Sequence, residues 1–394
     1  MDPTIRLLRE LVAIDSVNPS LVPGAAGEAA IAQAIAAHLR RIGLDVDVQE
    51  VVPGRSNVIG VLEGRGPGRS LMLCGHVDTV GVDGMTAPFD PVERDGRLYG
   101  RGSQDMKGGL AAMIDAARLV ADAGLDAGRL IVAAVVDEEY ASLGADALVT
   151  RWRADGAVVT EPTDLQIAIG HKGFAWLEVE TKGRAAHGSR SLEGRDAILR
   201  MGRVLHALDA LDRRLQAAPP HPLMGTASLH ASTIAGGREL SSYPDRCVLQ
   251  LERRTVSGET ERAVVREVEA ILARLKADDP EFEATVTPMF GRPSYEIAAT
   301  HDLPRALRRA RDQPRPDGQA HATTPTTPDR EEPGFVGMSF WTDAAVLGSA
   351  GIPSVLFGPG GAGLHSVEEY VEVQDVLRCR DALAALARGW CIAK

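Results

Sequence analysis

Apolar residues recur at helical spacing over residues 4–14 and 28–42, and Gly43 stands where the second helix should stop. LDVDVQEVV then alternates, NVIGVLEG follows, and SLMLCG is a short apolar run that predicts a buried strand. DMKGGLAAMIDAARLVADAG predicts a helix ending at Gly124. RLIVAAVV predicts a second buried strand, GADALVTRWR a helix and GAVVT a third strand. Strand–helix alternation of this kind predicts an α/β sandwich around a mostly parallel sheet.

The pattern changes after residue 172. GFAWLEVETKG and CVLQLERRTV alternate, RDAILRMGRVLHALDALDRRL and ERAVVREVEAILARLKA are amphipathic, and EATVTPMF closes the series. Strand, helix, strand, helix, strand predicts a compact α+β unit with one exposed sheet face. It would span residues 173–291 as an insertion, because α/β signals resume in HDLPRALRRARDQ, IPSVLFG and VLRCRDALAALARGW. The first domain would therefore comprise residues 1–172 and 292–394. The stretch over residues 313–334, rich in Pro, Thr and charge, reads as a long loop.

Composition narrows the class. The 394 residues carry 43 basic and 54 acidic side chains, a formal net charge of −11. That balance disfavours nucleic-acid and anionic-membrane partners, both of which reward surplus Lys and Arg. The four cysteines form no C-x-x-C pair, so neither a disulfide framework nor a thiolate zinc site is expected. The first residues lack the features of a signal peptide, and no apolar run reaches the roughly 18 residues of a membrane span. A cytoplasmic protein is the simplest expectation.

The chemistry lies where acids and histidines meet strand ends. SLMLCG runs into His76 and Asp78, which share a face if the chain stays extended. RLIVAAVV runs into Asp137-Glu138-Glu139, GAVVT into Glu161, and IPSVLFG into a glycine loop carrying His365. Asp105 lies in the glycine-bracketed GRGSQDMKGG before a helix. Ligands of open α/β sheets gather outside the carboxyl ends of the strands. Singly, each position has a bland reading: a hydrogen-bonded histidine, a solvated acid pair, a helix cap. Five such positions converging point instead to a site. Two imidazoles with several carboxylates and no thiolate suit Zn²⁺, Co²⁺ or Mn²⁺, and the surplus of acids suits two ions sharing one carboxylate, with one acid left as a general base.

HVDTV, GRGSQDMKGG, DEEYASLG, TEPT, GRAAHGS and GLHSVEEYV, in this order and across nearly the whole chain, resemble the co-catalytic metallopeptidase and deacylase family. That family includes acetylornithine deacetylase, succinyl-diaminopimelate desuccinylase, aminoacylase and glutamate-releasing carboxypeptidases. The resemblance implies a three-layer α/β/α catalytic domain interrupted by a ferredoxin-like lid and dimerisation domain. It implies that Asp105 bridges two metals and that the peptide bond to Met106 is cis. His76 and Glu161 would complete one metal's ligands, Glu139 and His365 the other's, with Asp78 orienting His76. Glu138 would be the base that activates a water bridging the metals.

In the inserted domain, the resemblance makes His187 an oxyanion donor reaching into the partner subunit of a homodimer, and Arg254 the grip on a substrate carboxylate. Arg253 is expected to point outward, unless a one-residue slip of register exchanges the two. Ser241 stands where the family commonly has an asparagine near the substrate, which weakens any substrate assignment by analogy. GPGGAG at residues 358–363 fits a dinucleotide fingerprint, but only one helix follows it. Its glycines are expected instead to bring backbone close to the metals and present His365, with Gly360 placed to contact substrate.

SFWTDAAVLGSAGIPSVLFGPG, DEEYASLG and HKGFAWLEV look closest to the acetylornithine deacetylase and desuccinylase branch. The expected activity is hydrolysis of the amide bond in small N-acyl amino acids. The alternative is a di- or tripeptidase or an exopeptidase using the same metals. A non-catalytic binding protein is disfavoured, because the base and all five metal ligands are present.

Overall fold

A computed structural model describes residues 1–313 and 334–392. The Pro- and Thr-rich stretch expected as a loop over residues 313–334 lies almost wholly outside the described residues. The chain divides into two compact units. One comprises Met1–Ile169, Ile297–Val336 and Thr342–Lys394; the other comprises Gly170–Glu296 and Gly337–Trp341. No helix among the described residues is long and apolar enough to cross a membrane.

The first unit is built on a mixed sheet. Strands Arg129–Val135, Ser70–His76, Gly156–Val159 and Ser354–Leu356 lie side by side and parallel. Arg55–Glu63 and Asp45–Val52 extend one edge antiparallel. The apolar runs are the central strands, and Leu71, Leu73, Ile131, Val132 and Val158 are fully buried, as strands covered on both faces require. Helix Gly108–Ala123 packs so closely that a Cβ on Gly109 would come within 2.0 Å of the Thr160 carbonyl oxygen. Only glycine admits that approach.

Two local features depart from the sequence pattern. The predicted helix from Asp105 begins only at Gly108. Ser103–Lys107 forms a wider turn in which Asp105 (φ −115°, ψ 95°) and Met106 (φ −128°, ψ 35°) are non-helical, and the Asp105–Met106 peptide bond is cis. Asp105 is therefore no simple helix cap. A small antiparallel sheet also joins Val92–Arg94, Arg97–Tyr99, Tyr370–Glu372 and Gly361–Ala362. It ties the chain before Asp105 to the chain after His365.

The second unit runs strand, helix, strand, strand, helix, strand, the ferredoxin-like succession. Its sheet order is Ser228–Gly236, Arg246–Thr255, Gly173–Lys182, Glu283–Arg292, antiparallel throughout. Alternation puts Leu177, Val179, Leu249 and Leu251 under helices Ala197–Ala217 and Glu261–Asp278, where they meet Val204, Leu208, Val268 and Ile271. The same alternation places Arg253 on the covered face. It is fully buried and paired with Glu259, with Glu267 3.5 Å away, so it does not point outward. Arg254 takes the open face. The exposed edge strand Ser228–Gly236 carries no clear strand signal in the sequence, because it lacks a buried alternate face.

Candidate metal centre

Parallel pairing brings the strand ends together. Cys74 lies opposite Val159 and His76 opposite Val135, while the Thr160 N–H donates to the Cys74 carbonyl at 2.9 Å. His76, the Glu138–Glu139 turn and Glu161 therefore converge above three adjacent strands. Asp105 joins them from the turn before helix Gly108–Ala123, and His365 from the glycine loop after Ser354–Leu356. Gly363 in that loop has φ 92°, and a Cβ there would lie 1.8 Å from the Glu368 carbonyl oxygen. The loop needs glycine to turn His365 back.

Asp105 has an imidazole near each carboxylate oxygen. Its Oδ1 is 3.1 Å from His76 Nε2, and its Oδ2 is 3.4 Å from His365 Nε2. His365 Nε2 also lies 3.2 Å from Glu139 Oε2, while His76 Nε2 is 3.9 Å from both Glu138 Oε2 and Glu161 Oε1. Among the described residues, two sets present ligand atoms all within 4.8 Å of one another: His76, Asp105 and Glu139, and His76, Glu138 and Glu161. The residues expected to bind metal thus come together, with Glu138 beside them.

Asp78 acts on more than the imidazole. His76 Nδ1 is 3.0 Å from the Asp78 carbonyl oxygen and 3.5 Å from its carboxylate. A proton held at Nδ1 leaves the Nε2 lone pair facing the acids. The Asp78 carboxylate accepts the backbone N–H of Glu138 and of Glu139, each at 3.1 Å, and the Asn18 amide at 2.7 Å. Glu138 and Glu139 stand on a turn after Asp137 (φ 69°). Asp137 accepts Arg55 Nη2 at 2.8 Å, and Arg55 in turn pairs with buried Glu28. Asn18, Glu28 and Arg55 were not read from the sequence; a charged residue opening a buried strand was the one available signal.

The electrostatics favour cations. Burial, reinforced by neighbouring carboxylates, raises the pKa of Glu138, Glu139 and Glu161. At Asp105, burial is outweighed by hydrogen bonds from His365 and His76, and its pKa falls. Asp105 and Glu139 lift His365 to about 10. Among the described residues, the ion pairs of these four acids are all with the two histidines. Glu139 Oε1 is buried with no hydrogen-bond partner. An oxygen and imidazole donor set of this kind fits divalent ions.

The sequence matches Peptidase family M20/M25/M40 over residues 72–389. The chain belongs to this family. It is similar to acetylornithine deacetylase of Myxococcus xanthus, at 31% identity over 99% of this chain and 98% of that protein. It is also similar to N-formyl-4-amino-5-aminomethyl-2-methylpyrimidine deformylase of Bacillus subtilis (strain 168), at 29% identity over 91% of this chain and 89% of that protein. Among solved structures, a tripeptidase of Staphylococcus aureus shares the fold, with TM-score 0.78, 20% identity, and coverage of 99% of this chain and 98% of that one. The resemblance to the metallopeptidase and deacylase family is borne out, and with it the class of hydrolase.

The remaining positions of this M20 hydrolase lie as follows. In the second unit, His187 is exposed, with Nδ1 2.9 Å from Ser189 Oγ. Its neighbour Gly188 donates its N–H to the Ser241 carbonyl at 2.7 Å, so His187 and Ser241 share one exposed corner. Arg254 lies over the Phe174 ring at 5.6 Å and donates to Glu252 at 2.6 Å. In the first unit, Gly360 is buried, and a Cβ there would meet the carboxylates of Asp164 and Asp375.

Proposed function

We propose that this M20 hydrolase is a dinuclear metal-dependent deacylase that cleaves the amide bond of small N-acyl amino acids. The observation that carries the reading is Asp105, whose two oxygens face two imidazoles. Its supporting residues would be His76 and Glu161 for one ion and Glu139 and His365 for the other. Bound ions, most simply Zn²⁺, with Co²⁺ or Mn²⁺ also suited to these donors, would polarise the amide carbonyl and lower the pKa of the attacking water. Glu138 takes the proton from that water and returns it to the leaving amine. Burial raises its affinity for a proton, which suits a group that must receive one and release it.

Asp78 keeps both glutamates in place through their N–H groups. In the second unit, Arg254 would hold the substrate carboxylate, and His187 would donate to the developing oxyanion across a homodimer. The exposed edge strand with Ile234, and the exposed Ile198 beside Gly236, supply an apolar surface consistent with such a dimer. Ser241 and Gly360 are proposed to contact substrate through the backbone. The similarity to both a deacetylase and a deformylase supports short acyl groups, whereas fold likeness to a tripeptidase keeps peptide hydrolysis as the alternative.

The test is a substrate panel on protein loaded with Zn²⁺ or Co²⁺. N-acetyl, N-formyl and N-succinyl amino acids are set against di- and tripeptides. Faster turnover of an N-acyl amino acid supports the deacylase reading, and faster turnover of peptides contradicts it.

A further inference from the structure

Glu369 lies four residues beyond His365 and is 1% exposed, yet it is none of the proposed metal ligands. Its carboxylate is filled with donors. Oε1 accepts the backbone N–H of Gln104 at 2.9 Å and of Asp105 at 3.1 Å. Oε2 accepts the Gly102 N–H at 2.9 Å and Arg101 Nη1 at 2.7 Å. Its carbonyl oxygen accepts the Gly100 N–H at 3.1 Å. One side chain thus wraps the turn that presents Asp105. Buried Arg101 reaches back to the His365 side, donating from Nη2 to the Ser366 carbonyl at 3.0 Å, and is itself anchored to the Gly81 carbonyl at 3.1 Å.

We infer that Glu369, acting with Arg101, is a positioning residue that sets the separation of Asp105 from His365 and so governs binding of the second metal ion. The inference rests on the dinuclear reading above. The two halves of the centre are anchored differently. His76 ends a central strand and Glu161 follows another, their strands joined by the Thr160–Cys74 hydrogen bond and the His76 ring held by Asp78. His365 stands instead in the loop between two short strands, Gly361–Ala362 and Tyr370–Glu372. It sits on a turn with φ 57°, its side chain 54% exposed, and Arg101 holds the next residue. Loosening the Glu369–Arg101 pair therefore frees the Asp105–His365–Glu139 position more than the His76–Asp105–Glu161 position.

An amide at residue 369 keeps the shape but turns an N–H₂ group toward backbone donors, and leaves Arg101 without its counter-charge. The experiment compares stepwise Zn²⁺ affinities, by competition with a chelator, in the wild type, Glu369→Gln, and the double variant Arg101→Met/Glu369→Gln. The double variant removes both charges and covers the case in which the single variant fails to fold. The expected result is loss of affinity for one ion by about 10–100-fold, as for other groups that orient ligands, with a smaller loss for the other because Asp105 serves both. Unchanged affinity for both ions overturns the inference. So does equal loss of both, which marks a general structural role. Uptake of fewer than two ions by the wild type overturns the dinuclear reading and the inference with it.

Discussion

Asp105 Oδ1 stands 3.1 Å from His76 Nε2, although the two residues come from different elements: a central strand and the turn before a helix. The second oxygen of Asp105 faces His365 at 3.4 Å. The two histidines hold Asp105 below the usual carboxylate range, whereas burial raises the proton affinity of Glu138, Glu139 and Glu161 beside it. Their oxygens and the two imidazoles face one another closely enough to hold divalent ions.

Asp78→Asn tests the support beneath the glutamates. The native carboxylate accepts the N–H of both Glu138 and Glu139, and an amide must turn its own donors toward at least one of them. Metal affinity or kcat should fall about 10–100-fold. Unchanged values for both would show that the two N–H contacts do not position the turn.

Glu138→Gln separates base from ligand. The variant should retain its ions, measured by metal analysis, while kcat falls by about 10²–10⁴-fold. Wild-type turnover would remove Glu138 from the mechanism. Loss of an ion would make it a ligand, consistent with its place beside His76 and Glu161.

Much of this centre was legible because chemistry sat at strand ends. Apolar runs ending in His76, Glu138–Glu139 and Glu161 are local signals, and parallel pairing does the rest. The glutamate and arginine that brace the centre were not legible. Glu369 reaches Asp105 across 264 residues, and nothing near Glu369 in sequence marks that contact. Arg253 misled for a related reason. Charge argued for the outside, whereas register placed it under two helices, where Glu259 and Glu267 offset burial.

His171 supplies a pH signature away from the metal ligands. It is buried beside Tyr295 and Trp341, its Nδ1 donates to the Lys172 carbonyl at 2.9 Å, and burial lowers its pKa from 6.5 to about 4. Between those values the unfolded chain holds the proton and the folded chain does not, so stability rises with pH. The contribution is complete above about pH 6.5 and is lost as pH falls toward 4, up to about 3 kcal/mol. His171→Phe should flatten that part of the urea-unfolding stability curve relative to wild type. Parallel curves for the two proteins would contradict the assignment.

His187 and Glu138 provide a test across subunits. Mixed dimers of His187→Ala and Glu138→Ala chains should recover part of the activity that each homodimer lacks, because one of the two centres then combines an intact base with an intact partner histidine. Confirmed mixed dimers without recovery would place His187 outside the partner's chemistry.

Counting bound ions against turnover shows whether two metals carry the chemistry. Metal-free protein is titrated with Zn²⁺ while hydrolysis of an N-acyl amino acid and bound metal are measured together. No turnover is expected without metal, and a maximum is expected at two ions per chain. Full activity in the metal-free protein, or a maximum at one ion with no second ion bound, would contradict a two-metal mechanism.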